Sequence, residues 1–286
     1  MPTLELPDGT PASWSRIGHG PPILGMPGGP GFPADYVAEF AAGLTDVLTW
    51  YLVDPPGTGA TPAIEDWSIG AHVAFYARVA AAFGLEQHLV FGHSYSGVVA
   101  TVAAEAHPDR VVGVLLAESP VVGIRPDEAE GSPIRSAMND LFDRHRHQPW
   151  FEAARQATFG PTDTSLEAIR LSLMTAFSSP SEALADRIIQ YAGDGPNEAV
   201  GDWFYEREWD TLDLRPLLPR IECPLLSVVG AHDWAVPPEQ ARYHEQLAPN
   251  GTTVVIEDCG HWPPLEQPEA WQRAVRDWLA ATGLRR

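Results

Sequence analysis

The stretch Val90-Phe91-Gly92-His93-Ser94-Tyr95-Ser96-Gly97 decides how this chain is read. An apolar run, His88 to Phe91, meets a tight turn of small residues, and an alanine-rich helical stretch, Val98 to Ala106, follows at once. Strand, sharp turn and helix leave one serine at the apex. Such a turn is strained and the chain passes close to itself, so small residues are needed two before and two after the serine. Gly92 and Ser96 stand there, which meets the G-x-S-x-G pattern in the looser form small-x-Ser-x-small. A five-residue match is weak by itself. A serine hydroxyl is a poor nucleophile near neutral pH and needs a base within hydrogen-bond reach, so the pattern gains meaning only with an acid and a histidine downstream.

The segments before the turn read as alternating strands and loops. Residues 3–6 and 11–17 form an opening hairpin around Pro7-Asp8-Gly9. Pro22 to Met26 is a short strand running into Pro27-Gly28-Gly29-Pro30-Gly31-Phe32-Pro33, which holds too much Gly and Pro for helix or sheet. Residues 47–53 are a buried strand ending in the rigid turn Asp54-Pro-Pro-Gly-Thr-Gly59, and residues 68–83 are a helix with Ser68 as N-cap. A strand at 111–116 follows the central turn. Between about 122 and 215 the pattern becomes helical, with helix starts expected at Thr164 (with Glu167) and at Ser179 (with Glu182). The strand–helix alternation then resumes: strand 224–229 into Gly230-Ala-His-Asp233, helix 237–247, strand 253–256 into Asp258-Cys-Gly-His261, and helix 267–281.

Apolar strands alternating with helices imply an α/β fold with a mostly parallel sheet covered on both faces. In such sheets ligands gather at the carboxyl ends of the strands. The expected division is a core of residues 1–121 and 216–286 carrying a helical cap, or lid, at 122–215.

Ser94, Asp233 and His261 now stand in order, each at a strand's carboxyl end. His261 suits the base because an unperturbed imidazole titrates near pH 6.5. Asp233 would fix its tautomer and stabilise the imidazolium. Asp258 lies too close to His261 on the same loop to be the better acid. The oxyanion formed by attack needs preorganised donors. The turn makes the Tyr95 N–H one of them, and the Gly29 N–H of the Gly-rich loop is the second; Pro27 and Pro30 have no N–H to offer. His93, His107 and His232 read as structural. Phe32, Tyr95, Trp234 and Trp262 flank the catalytic positions as pocket candidates.

Composition limits the alternatives. All 18 basic residues of the 286-residue chain are arginines, so P-loop and Schiff-base chemistry, which need lysine, are excluded. A net charge of −20 argues against binding a phosphate backbone. Cys223 and Cys259, without a C-x-x-C pair, argue against a disulfide framework or structural zinc. With no apolar 18-residue run and no basic-then-apolar leader, the expectation is a soluble, reduced, cytoplasmic protein that binds neither nucleic acid nor membrane. The oligomeric state is left open.

Gly28-Gly29-Pro30-Gly31, the Asp54…Gly57-Thr58-Gly59 turn, Gly92-His93-Ser94-Tyr95, Gly230…Asp233…Pro237 and Gly260-His261 resemble, in order, the α/β-hydrolase family and within it the proline iminopeptidase-like (S33-type) group. The resemblance spans nearly the whole chain and is weakest in the cap. It implies a Ser-Asp-His hydrolase without metal or organic cofactor, working through an acyl-enzyme on a small molecule or short peptide, with cap glutamates holding the substrate's free amine; Glu206 and Glu208 are the candidates here. Two positions depart from the group. Pro27 stands where it carries His, and Pro56 replaces its Arg, closer to the Asp-x-Pro-Gly turn of esterases and C–C hydrolases. The alternatives are a carboxylesterase or lactonase, a lyase or other biosynthetic enzyme on the same scaffold, and a non-catalytic binding protein.

Overall fold

The structure, a computed structural model, describes residues 2–123, 133–160, 165–191 and 196–284. Eight strands form one sheet. The first three are β1 (Thr3–Glu5), β2 (Pro11–Gly18) and β3 (Pro22–Met26). They are followed by β4 (Thr49–Val53), β5 (His88–His93) and β6 (Val111–Ala117). β7 (Leu225–Gly230) and β8 (Gly251–Ile256) complete the sheet. Their spatial order is β1-β2-β4-β3-β5-β6-β7-β8. β1/β2 and β2/β4 pair antiparallel, and every later pair is parallel.

The continuous apolar runs of the central strands follow from burial on both faces. Successive side chains point to opposite sides: Val90 joins one apolar layer, while Leu89 and Phe91 join the other. In β6, Val114 and Leu116 face the first layer, and Leu115 and Ala117 the second. One face is covered by α2 (Ile69–Ala82) and α3 (Tyr95–Ala106), the other by the short α1 (Val37–Ala41). Ser68 caps α2 as its sequence suggests, accepting the Ala71 N–H at 3.1 Å.

Between β6 and β7 the described elements are helical: α4 (Pro133–His145), α5 (Phe151–Phe159), α6 (Leu166–Ala176), α7 (Glu182–Ile189) and α8 (Glu198–Trp203), then a π-helical turn, Phe204–Glu208. Two expected helix starts are corrected here. Ser165, not Thr164, caps α6, and Ser181, not Ser179, caps α7, with side chains accepting the N–H of Ala168 and Leu184. Thr164 itself lies outside the described residues. The cap hydroxyl must stand three residues before the N–H it serves, and several serines per turn leave that register open until the helix is placed.

The chain closes with α9 (Pro238–Leu247), the single turn α10 (Pro263–Glu266) and α11 (Pro268–Thr282). α11 buries Trp271, Val275 and Leu279 completely and packs on the α1 side of the sheet; the Trp271 indole N–H donates to the Phe40 carbonyl at 2.9 Å. No helix among the described residues is long and apolar enough to cross a membrane.

Candidate active site

β5 ends at His93 and α3 begins at Tyr95, so Ser94 alone makes the turn, with φ of 55°. A non-glycine residue there is strained and persists only where surroundings hold it. Ser94 N–H donates to the Ala117 carbonyl at 2.9 Å, and Gly97 N–H to the Ser94 carbonyl at 2.9 Å. Gly92 must lack a side chain, because a Cβ would lie 2.4 Å from the Ser96 carbonyl oxygen. Serine at position 96 has a specific use. Its hydroxyl donates to the Met26 carbonyl at 2.6 Å and accepts the His93 N–H at 3.0 Å, pinning the turn to the end of β3.

The Gly-rich loop after β3 lies against this turn. A Cβ at Gly28 would meet the His93 carbonyl oxygen at 2.4 Å, so only glycine permits that approach. Gly28 N–H donates to the Tyr36 hydroxyl, whose own proton goes to His93 Nδ1 at 2.9 Å. His93 Nε2–H donates to the His261 carbonyl at 3.1 Å. Each partner in this chain fixes the next: the Tyr36 oxygen accepts once and donates once, and a carbonyl can only accept. His93 is therefore a neutral Nε2–H tautomer. Burial, then the nearby His261, hold its pKa well below the ordinary imidazole value. The structural reading of His93 acquires a partner set: it ties the Gly-rich loop to the His261 loop. Asp54, fully buried, fixes the far end of the Gly-rich loop by accepting the Ala34 N–H at 2.8 Å and the Ser13 hydroxyl.

Asp233 follows β7 and His261 follows β8. His261 Nδ1–H donates to Asp233 Oδ2 at 2.6 Å. Asp233 Oδ1 accepts the N–H groups of Ala235 and Val236 at 2.9 and 3.1 Å. Burial pushes the Asp233 carboxyl upward, but His261 and these donors outweigh it and hold the group below the usual range. His261 N–H donates to the Ala176 carbonyl at the end of α6. Ser94 Oγ is not hydrogen-bonded to His261 Nε2 in this structure; such bonds commonly tighten only around substrate. Among the described residues one cluster has donor atoms close enough to hold a metal, Glu118, Asp233 and His261. The His261–Asp233 hydrogen bond already joins two of its three members, so the grouping is satisfied by protons.

Ser94, His261 and Gly29 line one cavity of about 230 Å³, closed by Phe32, Trp234 and Trp262. Among its described lining residues there is no Asp, Glu or Arg. α6 supplies Ser172, Leu173, Thr175 and Ala176, and the π-helical turn supplies Tyr205. None of the five was a site candidate in the sequence, where Tyr205 read only as bulky apolar surface of the helical segment; a π-turn, frequent at functional sites, is the signal Tyr205 offers, and it shows only in the backbone.

Two further placements differ from expectation. The Tyr95 ring does not line the cavity but is buried edge-on against Phe204 and His72. Glu206 and Glu208 do not reach the cavity either. The Glu208 carboxylate accepts the Ile69 N–H at 3.2 Å, capping α2 from the helical segment. The same segment grips both glycine turns: Asn197 N–H donates to the Gly31 carbonyl at 2.8 Å, and its side-chain amide to the Gly57 carbonyl at 3.3 Å.

A family model described as alpha/beta hydrolase fold matches residues 21–268. The chain is 28% identical over 270 residues to a pimeloyl-[acyl-carrier protein] methyl ester esterase of Edwardsiella ictaluri, covering 92% of this chain and 95% of that protein. Among solved structures it is similar to a thermophilic esterase from Thermogutta terrifontis, with TM-score 0.73 and 24% identity over 98% of both chains. It is also similar to a meta-cleavage product hydrolase from Pseudomonas fluorescens IP01, with TM-score 0.76 and 18% identity over 98% of both. At these identities the structural likenesses speak for the fold.

Proposed function

The chain belongs to the alpha/beta hydrolase fold family, and on that premise we propose that it hydrolyses small, uncharged carboxylic esters. One observation carries this reading: Ser94, the carboxylate-backed His261 and Gly29 line the same small cavity, whose described lining bears no Asp, Glu or Arg. At about 230 Å³ the space is below the usual 300–1,000 Å³ of drug-sized ligand pockets. It suits a short acyl group with a compact alcohol. The relative from Edwardsiella ictaluri, by its name a methyl ester esterase, points to the same bond. Proline iminopeptidase chemistry is set aside, because an amine needs a carboxylate in the pocket and Glu208 is committed to the start of α2.

In the proposed reaction the helical segment between β6 and β7 is the cap. Ser94 Oγ attacks the ester carbonyl carbon while its proton passes to His261 Nε2. Asp233, charged and held by two N–H groups, stabilises the imidazolium through Nδ1. The tetrahedral oxyanion is met by the N–H groups of Gly29 and Tyr95, each such donor contributing about 3–4 kcal/mol in acyl transfer. His261 returns its proton to the departing alkoxide, leaving the acyl-enzyme and the alcohol. Water, deprotonated by His261, then attacks the acyl carbon; the acyl–Oγ bond breaks, Ser94 Oγ takes the proton back from His261, and the acid leaves. The long Gly-rich loop needs its anchors at both ends, Tyr36 and Asp54, to hold the Gly29 N–H where the charge develops.

The test is turnover of p-nitrophenyl acetate, butyrate and octanoate beside proline p-nitroanilide, with fluorophosphonate labelling. Expected are turnover of the short esters, a fall at octanoate, no amine requirement, and labelling abolished in Ser94→Ala. Labelling that persists in Ser94→Ala, or preference for the proline anilide, overturns the reading.

A further inference from the structure

Glu118 follows directly on β6, and the proposed reaction does not use it. Its side chain is completely buried and its backbone has φ of 52°, a conformation costly for any residue but glycine. Its N–H donates to the Val228 carbonyl, which locks the residue to β7. Oε1 accepts the Gly230 N–H at 2.8 Å; Oε2, equally buried, meets no hydrogen-bond donor. A Glu118 oxygen, an Asp233 oxygen and a His261 ring nitrogen all lie within 4.8 Å of one another.

The other titratable groups bearing on Glu118 do not neutralise it. Glu266, on α10, is a third carboxyl, and Cys259, before His261, is a buried thiol. Among the described residues the cluster holds one nitrogen base, His261, and Asp233 is already hydrogen-bonded to it. Two adjacent carboxylates, both almost fully buried, do not both remain ionised. Asp233 has two N–H donors and the imidazole to favour its charge; Glu118 has one N–H. The proton therefore belongs on Glu118, where it makes this carboxyl a donor beside the neighbouring Asp233 oxygen. Burial first, and the Asp233 charge second, raise the Glu118 carboxyl well above its ordinary range.

We propose that Glu118 is a positioning residue for the candidate triad: a protonated carboxyl that donates a hydrogen bond to Asp233 and so sets how strongly Asp233 supports His261. This rests on the ester-hydrolase reading for its effect on rate, though not for the proton itself. The bond keeps the Asp233 carboxylate aimed at Nδ1 and lowers its basicity. Without it, Asp233 becomes a stronger acceptor, the imidazolium gains stability, and the free base needed for attack appears only at higher pH. The strained backbone at Glu118 is explained by the same geometry, since it turns the side chain back beneath the ends of β6 and β7.

The experiment compares Glu118→Gln, Glu118→Asp and Glu118→Ala by the pH profile of kcat/KM on a short p-nitrophenyl ester, and by the infrared band of a protonated carboxyl at pH 7. Gln keeps both a donor for Asp233 and an acceptor for Gly230, so it should stay within about twofold of the parent kcat with its acid limb unmoved. Ala should lose about tenfold in kcat and shift the acid limb upward by about half to one unit, the scale of one charge-assisted hydrogen bond. Asp, one methylene shorter, should fall between. The protonated-carboxyl band should be present in the parent and in Ser94→Ala, and lost in Glu118→Gln. An acid limb moved down by about a unit or more in Gln, as expected when a neighbouring negative charge is removed, overturns the proposal. So does an Ala profile that matches the parent, or a band unchanged in Gln. If Ala fails to fold, Gln and the band decide. Turnover surviving in Ser94→Ala defeats the ester-hydrolase reading separately, and the band still reports on the Glu118 proton.

Discussion

Tyr36→Phe removes one oxygen atom from the centre of the hydrogen-bond chain that joins the Gly-rich loop to the His261 loop. The ring can stay, because its packing on Phe32, Phe40, His93 and Trp262 is that of a phenyl group. Two buried groups are orphaned: the Gly28 N–H and His93 Nδ1. The hydroxyl itself leaves little room for a water, and relief can come only from the adjoining cavity, which Tyr36 and His93 also line. A buried polar group left unpaired costs about 1–3 kcal/mol; for two, partly relieved by relaxation, the expected loss is about 2–4 kcal/mol. In a chain of this length that lowers Tm by about 3–7 °C. Gly28 also holds its neighbour Gly29, so kcat on a short ester should fall about tenfold, less than the 10²–10³ lost with a whole oxyanion donor. Urea unfolding and steady-state ester kinetics measure both. A Tyr36→Phe protein within about 0.5 kcal/mol and twofold of the parent would refute the claim that this chain holds the oxyanion loop.

Other expectations concern the turn, the cap and the buried proton. Gly92→Ala places a Cβ 2.4 Å from the Ser96 carbonyl oxygen and 2.5 Å from Gly97 Cα, both backbone, so overpacking should cost about 1–3 kcal/mol. Ester turnover should drop by far more than that loss alone implies, because Ser94 moves with the turn. Arg187, on α7, grips the nearly buried Glu39 of α1 with two hydrogen bonds, while Tyr191 donates a third to the same carboxylate. Arg187→Ala should cost about 1–3 kcal/mol in urea unfolding, less than a fully buried pair because the arginine is half exposed; Arg187→Lys should recover part of it, lacking the planar fork. Glu118 should also leave a mark on stability against pH. Its folded pKa is raised above an unfolded value near 4.5, so its stabilising share is full below that pH and is lost as pH rises. Each unit costs up to about 1.4 kcal/mol until the folded protein also releases the proton. The stability of Glu118→Gln relative to the parent should therefore climb from about pH 5 to pH 8; a flat difference would speak against the buried proton.

Local signals carried much of the architecture. The apolar runs at Pro22–Met26 and His88–Phe91, each followed by small or rigid residues, could only be strands buried on both faces, and their order with the intervening helices implied a parallel sheet. The positions of Ser94, Asp233 and His261 were legible because each comes directly after a strand, where chain order and sheet geometry together bring distant residues to one edge. Helix starts in the cap were less legible: Ser165 and Ser181 were hidden among other capping residues, since competing N-caps differ by less than packing against the core decides.

Direction across space is what sequence spacing did not carry. The family resemblance made Glu206 and Glu208 candidates for an amine clamp; packing of the helical segment between β6 and β7 turned Glu208 onto the N-terminus of α2 instead. Tyr95, beside the serine, sent its ring into the core, while Tyr205, over a hundred residues later, came to the cavity. Glu118 was invisible as part of the site, because its meaning depends on Asp233 lying across the neighbouring strand and on Glu118 having, among the described residues, one N–H and no basic side chain hydrogen-bonded to its carboxyl. The sequence by itself determined the strand order's logic, the elbow at Ser94 and the order of its partners, all set by local periodicity and chain direction. The tertiary structure alone decided the size and neutrality of the pocket, the tautomer of His93 and the carboxyl that must keep its proton, because each depends on which buried groups meet and what charge they can bear together.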